Sequence, residues 1–240
     1  MTNALINKLR GYSVLPDAEI ARLEAIIGKP REVAARQDLI REGDAPGPMV
    51  VILEGWAARY NILPEGTRQI SAFLMPGDCC DLHVTVLREM DHSIATLTPA
   101  LVAQIQRSEL EDLIDARPML MRAFWWMQLV NEATLRAWIV SMGRRDSLQR
   151  VGHLMCELYV RASAIGMTED GKLELPLTQL VLGDALGLTP VHVNRVLRRL
   201  RLEGIMEITA GTLIISDIGK LGQVTGFDDS YLHRRLKRAA

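Results

Sequence analysis

Residues 177–204 read LTQLVLGDALGLTPVHVNRVLRRLRLEG, and the reading of this stretch decides the rest. Its pattern predicts two short helices joined by a tight turn. Thr178 is placed to cap the first, which runs to about Leu186. Gly187 then supplies a left-handed residue at little steric cost. Thr189-Pro190 restarts the chain with a hydroxyl cap followed by proline at the first helical position. In the second helix Val193, Val196, Leu197 and Leu200 recur at helical spacing and should face inward. Val191, His192, Asn194, Arg195, Arg198 and Arg199 are left outside. That layout is a helix-turn-helix, whose second helix enters the DNA major groove. Arg195 offers a fork of donors to guanine, Asn194 suits adenine, and Val191 suits a thymine methyl. Arg198, Arg199, Arg201 and the Thr178 hydroxyl are better placed for phosphates, and Thr189 and His192 are counted with them among the DNA-binding residues. Immediately downstream, Ile205–Ile208 and Leu213–Ile215 flank Thr209-Ala210-Gly211-Thr212, a hairpin with glycine in its turn. A trailing hairpin makes the element a winged helix-turn-helix.

The 240 residues suffice for two domains, and 48% hydrophobic with 24% charged residues describes an ordinary globular composition. No apolar run approaches the ~20 residues of a membrane helix. The N-terminus carries no signal-peptide core, and three cysteines make no disulfide framework, so a reducing cytoplasm is expected. Net charge is −1, unevenly spread: residues 144–240 hold 14 Lys+Arg against 11 Asp+Glu, residues 1–143 hold 14 against 18. The part with the helix-turn-helix is the electropositive one, as a DNA reader requires.

Upstream, residues 3–28 read as helical, with Pro16-Asp17 opening a second segment. Between Glu32 and Gln106 the texture changes to short strands punctuated by turns at Arg41–Asp44, Pro64–Gly66 and Pro76–Asp78. Such a series indicates an antiparallel barrel or roll. Residues 108–145 return to helix, with Ser108 and Glu111 forming a capping box and a long helix running from Pro118 to about Met142. That long helix carries two apolar stripes. Phe124, Met127, Val130, Ala137 and Trp138 lie on one, with Leu120. Trp125, Leu129, Ala133, Ile139 and Met142 lie on the other. A helix apolar on two sides needs two covers: its own β-domain, and a second copy in a two-fold dimer. The first stripe is assigned to the dimer interface. Gly143–Asp146 reads as the hinge, Ser147–Ser163 as a further amphipathic helix, and Phe227–Leu232 as the start of a basic terminal helix.

This order of elements resembles the catabolite-activator/fumarate-nitrate regulator (Crp/Fnr) family of bacterial transcription factors. The resemblance rests on Glu42-Gly43-Asp44, Val51–Gly55 and Pro76-Gly77-Asp78, then on Leu180–Leu200 with the hairpin behind it. It implies an α+β protein: a cyclic-nucleotide-binding-type β-roll over 1–116, a dimerisation helix over 117–143 and a winged helix-turn-helix over 144–240. It further implies a homodimer on near-palindromic double-stranded DNA, with RNA polymerase as a further partner and no membrane. Val191 departs from the glutamate common at that family position, so the operator should deviate from the usual half-site.

Family members that respond to cyclic nucleotides carry Gly-Glu-Leu and then Arg-Ser/Thr-Ala in the roll, the arginine pairing with phosphate. Here those windows read Asp81-Leu82-His83 and His92-Ser93-Ile94-Ala95, which argues against cyclic AMP as the effector. The candidate effector pocket is therefore Cys79, Cys80, Asp81, His83, His92 and Ser93. Cys and His at this spacing suit a haem or metal sensor, or a thiol redox switch, as an alternative to a small organic effector. The sequence identifies no cofactor. A metal-dependent β-barrel enzyme is the competing class, but His83 and His92 stand apart without a His-x-His pair. No phosphate loop, nucleophile elbow or His-Glu-x-x-His occurs, so no catalysis is expected.

Overall fold

In the computed structural model, residues 3–234 are described. They fall into two compact units: one comprises the described residues up to Thr67 with Ser71–Asn131, the other Arg68–Ile70 with Glu132–His233.

The first unit opens with α1 (Ala4–Arg10), capped by the Asn3 side chain, and α2 (Asp17–Ile26), started by Pro16. Seven strands follow: β1 (Arg31–Val33), β2 (Asp38–Ile40), β3 (Met49–Glu54), β4 (Ala57–Ile62), β5 (Arg68–Leu74), β6 (Ser93–Thr96) and β7 (Ala100–Ile105). They form two sheets, ordered β1-β7-β3 and β2-β6-β4-β5. The decisive strand is β3, apolar on both faces. Side chains alternate across a strand, so Val50 and Ile52 join Ala57, Leu74, Ile94 and Val102 inside the roll. Met49 and Val51 face the other way, into a core shared with α1, α2 and Leu110. A buried ion pair between Lys8 and Asp78 ties α1 to the Pro76–Asp78 turn.

Next come α3 (Arg107–Ala116) and α4 (Pro118–Arg144). The capping box expected at Ser108 does not form. The helix starts two residues earlier, at Arg107 after Gln106, with no side-chain cap, and Glu111 instead pairs with Arg107 at 3.0 Å. The expected hinge also shifts, because Gly143 and Arg144 remain helical. The break falls at Arg145–Asp146, where Asp146 and Gln149 build a capping box for α5 (Ser147–Ala164).

Within the second unit, α5 is followed by β8 (Thr168–Glu169) and β9 (Lys172–Glu174), joined by Asp170-Gly171 at positive φ, a hairpin signal that the sequence reading did not use. Then come α6 (Gln179–Leu186), α7 (Pro190–Leu202), β10 (Met206–Thr209) and β11 (Thr212–Ile215). The strands make one sheet in the order β10-β11-β9-β8. Between β10 and β11, Ala210 and Gly211 both take positive φ, as a two-residue turn matched to strand twist requires. A further helix, α8 (Ile218–Thr225), packs on α5, and a single 3-10 turn covers Asp229–Leu232 where a terminal helix was expected. The basic tail from residue 235 lies outside the described residues.

The core of this unit contains a buried carboxylate. Glu157 accepts from Trp138 Nε1 at 3.0 Å and from the Tyr231 hydroxyl at 2.8 Å, and pairs with Arg161 at 3.3 Å. Burial pushes its carboxyl upward against those partners. One turn away, His153 is stacked on Tyr231 and meets Phe227 edge-on, with ring centroids 5.9 and 5.1 Å away. Burial, and secondarily the charge of Arg145, lowers its pKa from 6.5 to about 4. An unfolded chain therefore binds this proton first, so the His153 contribution to stability is complete above about pH 6.5 and is lost as pH falls toward about 4. Glu157, shifted upward, acts in the opposite sense. The His153 part is thus read as a difference between proteins: thermal melts of His153→Gln should lose less stability than wild type between these two pH values. Equal losses would refute the assignment.

Candidate nucleic-acid interface and effector pocket

The two helices of the interface begin as their local chemistry dictates. The Thr178 hydroxyl accepts from Val181 N at 3.2 Å, and the Thr189 hydroxyl accepts from His192 N at 3.2 Å, with Pro190 opening α7. Both hydroxyls keep a proton to donate to a phosphate. Gly187 ends α6 at φ 63°. Gly183 is required for a different reason: a Cβ there would lie 2.5 Å from the Leu188 carbonyl oxygen, so only glycine lets the turn close. Val193, Val196 and Leu200 are buried, seating α7 on its support, while Leu197 is half-buried.

Val191, Asn194, Arg195, Arg198 and Arg199 are exposed on the opposite face. Not all of them are equally available. Arg199 pairs with Glu203 at 2.8 Å, so a phosphate would have to compete for it. His192 is not directed outward as expected. Its Nε2 lies 2.9 Å from the Ser147 hydroxyl, which turns the ring back toward the start of α5. This contact holds α7 against α5 and commits a residue that was counted among the DNA-binding candidates. Between α7 and the β10–β11 hairpin runs a groove lined by Thr178, Gln179, Asn194, Arg198, Arg201 and Gly211. Gln179, directly after the Thr178 cap, lines this groove and was not singled out from the sequence.

The structure corrects the assignment of the α4 stripes. Phe124 and Met127 are each 1% exposed and belong to the core under α1–α3. Val130 is buried, Ala137 is half-buried, and Trp138 is buried with its indole on Glu157. This stripe is consumed by its own chain. The apolar residues left in water are on the other one: Trp125 at 67% and Ile139 at 65%, with Leu129 and Val140.

In the candidate effector pocket, the two cysteines do not act together. Cys79 faces the helical core and Cys80 the roll interior, as alternation along an extended chain demands. Burial pushes both thiols upward, Cys80 to about 12, so neither is disposed to be a thiolate ligand or nucleophile. No cluster of three or more metal-ligating side chains exists among the described residues. The haem, metal and redox alternative is therefore not supported. Asp81, His83 and His92 do converge. The buried Asp81 carboxylate accepts from His83 N at 2.7 Å, with the His83 ring at 3.0 Å and the His92 ring at 3.6 Å. His92 also meets Asp91 at 2.6 Å, which holds the Asp91 carboxyl below its ordinary value. The Ser93 hydroxyl accepts from Glu42 N at 3.0 Å.

A β-roll and a winged helix-turn-helix in one chain, with an exposed arginine-bearing second helix, define a DNA-binding regulator. Residues 30–117 match the cyclic nucleotide-binding domain and residues 149–224 the Crp-like helix-turn-helix domain. The chain belongs to the Crp/Fnr family of transcriptional regulators, whose members bind DNA as dimers and are not enzymes. It is 24% identical to the anaerobic regulatory protein of Haemophilus influenzae, over 88% of this chain and 82% of that protein. Similarity to the nitrogen fixation regulation protein FixK of Bradyrhizobium diazoefficiens is 26% identity, over 85% of each chain. Among solved structures, FixK2 from Bradyrhizobium japonicum shares the fold at a TM-score of 0.73 and 22% identity, covering 81% of this chain and 96% of that one. No described helix is long and apolar enough to cross a membrane.

Among the described residues no ion pair holds Arg195, whereas Glu203 holds Arg199. Arg195→Ala should cost about 1–3 kcal/mol in operator binding and relax one base position, whereas Arg199→Ala should weaken all sequences alike. Selection from a random-site DNA library checks both. An unchanged preference in Arg195→Ala would refute this docking.

Proposed function

We propose that two copies of this chain pair along α4 and set their α7 helices into successive major grooves of a near-palindromic operator, about 34 Å apart. The observation that carries this reading is α7 itself, seated by Val193, Val196 and Leu200, with Val191, Asn194 and Arg195 left free in water. Those three read bases, and Arg198 with the two threonine hydroxyls holds the backbone. RNA polymerase is the further partner, and the cytoplasm, where three free buried thiols persist, is the working compartment.

For the second copy, the supporting feature is the run Trp125, Leu129, Ile139 and Val140, which recurs at helical spacing on the exposed side of α4. Glu132 and Arg136, 3.5 Å apart, lie on the same side. The roll takes a small effector whose binding biases the disposition of the paired DNA readers, a shift between pre-existing states. Cyclic AMP held in the usual manner is not that effector, because His92 and Leu82 stand where the resemblance expects arginine and glutamate.

Trp125→Glu combined with Ile139→Glu should yield folded monomers with weak operator binding, measured by ultracentrifugation and gel shift. Met127→Glu, by contrast, should unfold the roll, since it puts a charge in a sealed core. A double variant that stays dimeric would overturn the proposed pairing face.

A further inference from the structure

Arg59 is a cation on the inner side of the roll. Its register partner across β4 and β6 is Ile94, and its neighbour on the same face of β4 is Ala57; both are fully buried in the roll core. The guanidinium is half-buried. One nitrogen, Nη2, donates to the Cys80 carbonyl at 2.7 Å, while the shielded Nε has no hydrogen-bond partner. Among the described residues no carboxylate lies within ion-pair distance of it.

The nearby acids are already committed. Asp81 is held by the backbone and ring of His83 and by His92, and Asp91 by His92. The His92 Nε2 atom, which faces Asp81 Oδ2 at 3.6 Å, is shielded and makes no hydrogen bond. A guanidinium partly removed from water, with a donor pointing at nothing, is a costly arrangement unless an anion completes it. Its planar fork matches an oxyanion held side-on through Nε and a terminal nitrogen.

We propose that the roll binds a small oxyanion, a carboxylate or a phosphate, on Arg59. This rests on the reading above that the roll takes an effector, and it names the chemical class. The arginine used comes from the middle of β4, whereas the resemblance places a phosphate-binding arginine at the position His92 occupies.

The test is calorimetry and thermal melting of the full-length protein with sodium succinate and, separately, sodium phosphate, against sodium chloride at matched ionic strength. Binding of succinate alone identifies a carboxylate, and of phosphate alone a phosphate. Either should weaken about tenfold or more in Arg59→Gln, with Arg59→Lys between the two. Circular dichroism verifies that the variants fold, and the lysine variant carries the comparison if the glutamine variant does not. Wild type that binds neither probe more tightly than about 10 mM, or variants that bind as well as wild type, would overturn the proposal. Operator binding by wild type is scored separately by gel shift, so failure of the DNA reading is distinguishable from failure of this one.

Discussion

A helix that is apolar on more than one side has no stable existence alone in water, and α4 is such a helix. Its first half gives Leu120, Ala123, Phe124 and Met127 to the core beneath α1–α3. Its second half sends Trp138 to Glu157. Each unit thus takes what it needs from the same 27-residue rod. What neither takes, Trp125, Leu129, Ile139 and Val140, is too large an apolar run for scattered surface chance. The need to cover this rod organises the roll and the DNA-reading unit, and it makes pairing of two copies the natural completion.

The second unit contains a polar knot where an apolar core would serve for stability alone. A buried carboxylate is expensive, and hydrophobic replacement of such a group is often neutral or stabilising. Glu157 gains something else from its partners. Trp138 comes from α4 and Tyr231 from the C-terminal turn, each hydrogen-bonded to the same Oε2. Two directional bonds to one oxygen fix a relative placement that greasy contact would leave to slide. His153, excluded from water between Phe227 and Tyr231, adds a second fixed face.

Much of this was legible in the sequence, and what was legible depends on short-range chemistry. The helix-turn-helix declared itself through threonine caps, Pro190 and Gly187, whose effects reach only a few residues. The β-roll was legible from alternation and turn residues. What failed depended on long-range choice. The two α4 stripes have similar composition, and only packing against α1–α3 decides which is buried. His192 was read outward because its partner, Ser147, is 45 residues away. Cys79 and Cys80 looked like a site because adjacency in sequence was taken for adjacency in space, which an extended chain forbids. The β8–β9 hairpin and α8 were passed over although each is punctuated, the first by Asp170-Gly171 at positive φ and the second by the Asp217 cap and left-handed Gly226. Arg59 gave no signal at all, since an arginine in an alternating strand ordinarily faces solvent.

The division of labour within α7 has an evolutionary corollary. Folding depends on its inner valines and leucines and on the glycine-tight turn before it, whereas the residues proposed to choose the target are exposed and seat no part of the helix. Substitution at Val191, Asn194 or Arg195 leaves the architecture intact, so such a lineage is free to drift toward new promoters one letter at a time. Rewiring of a gene network then proceeds without any intermediate that fails to fold.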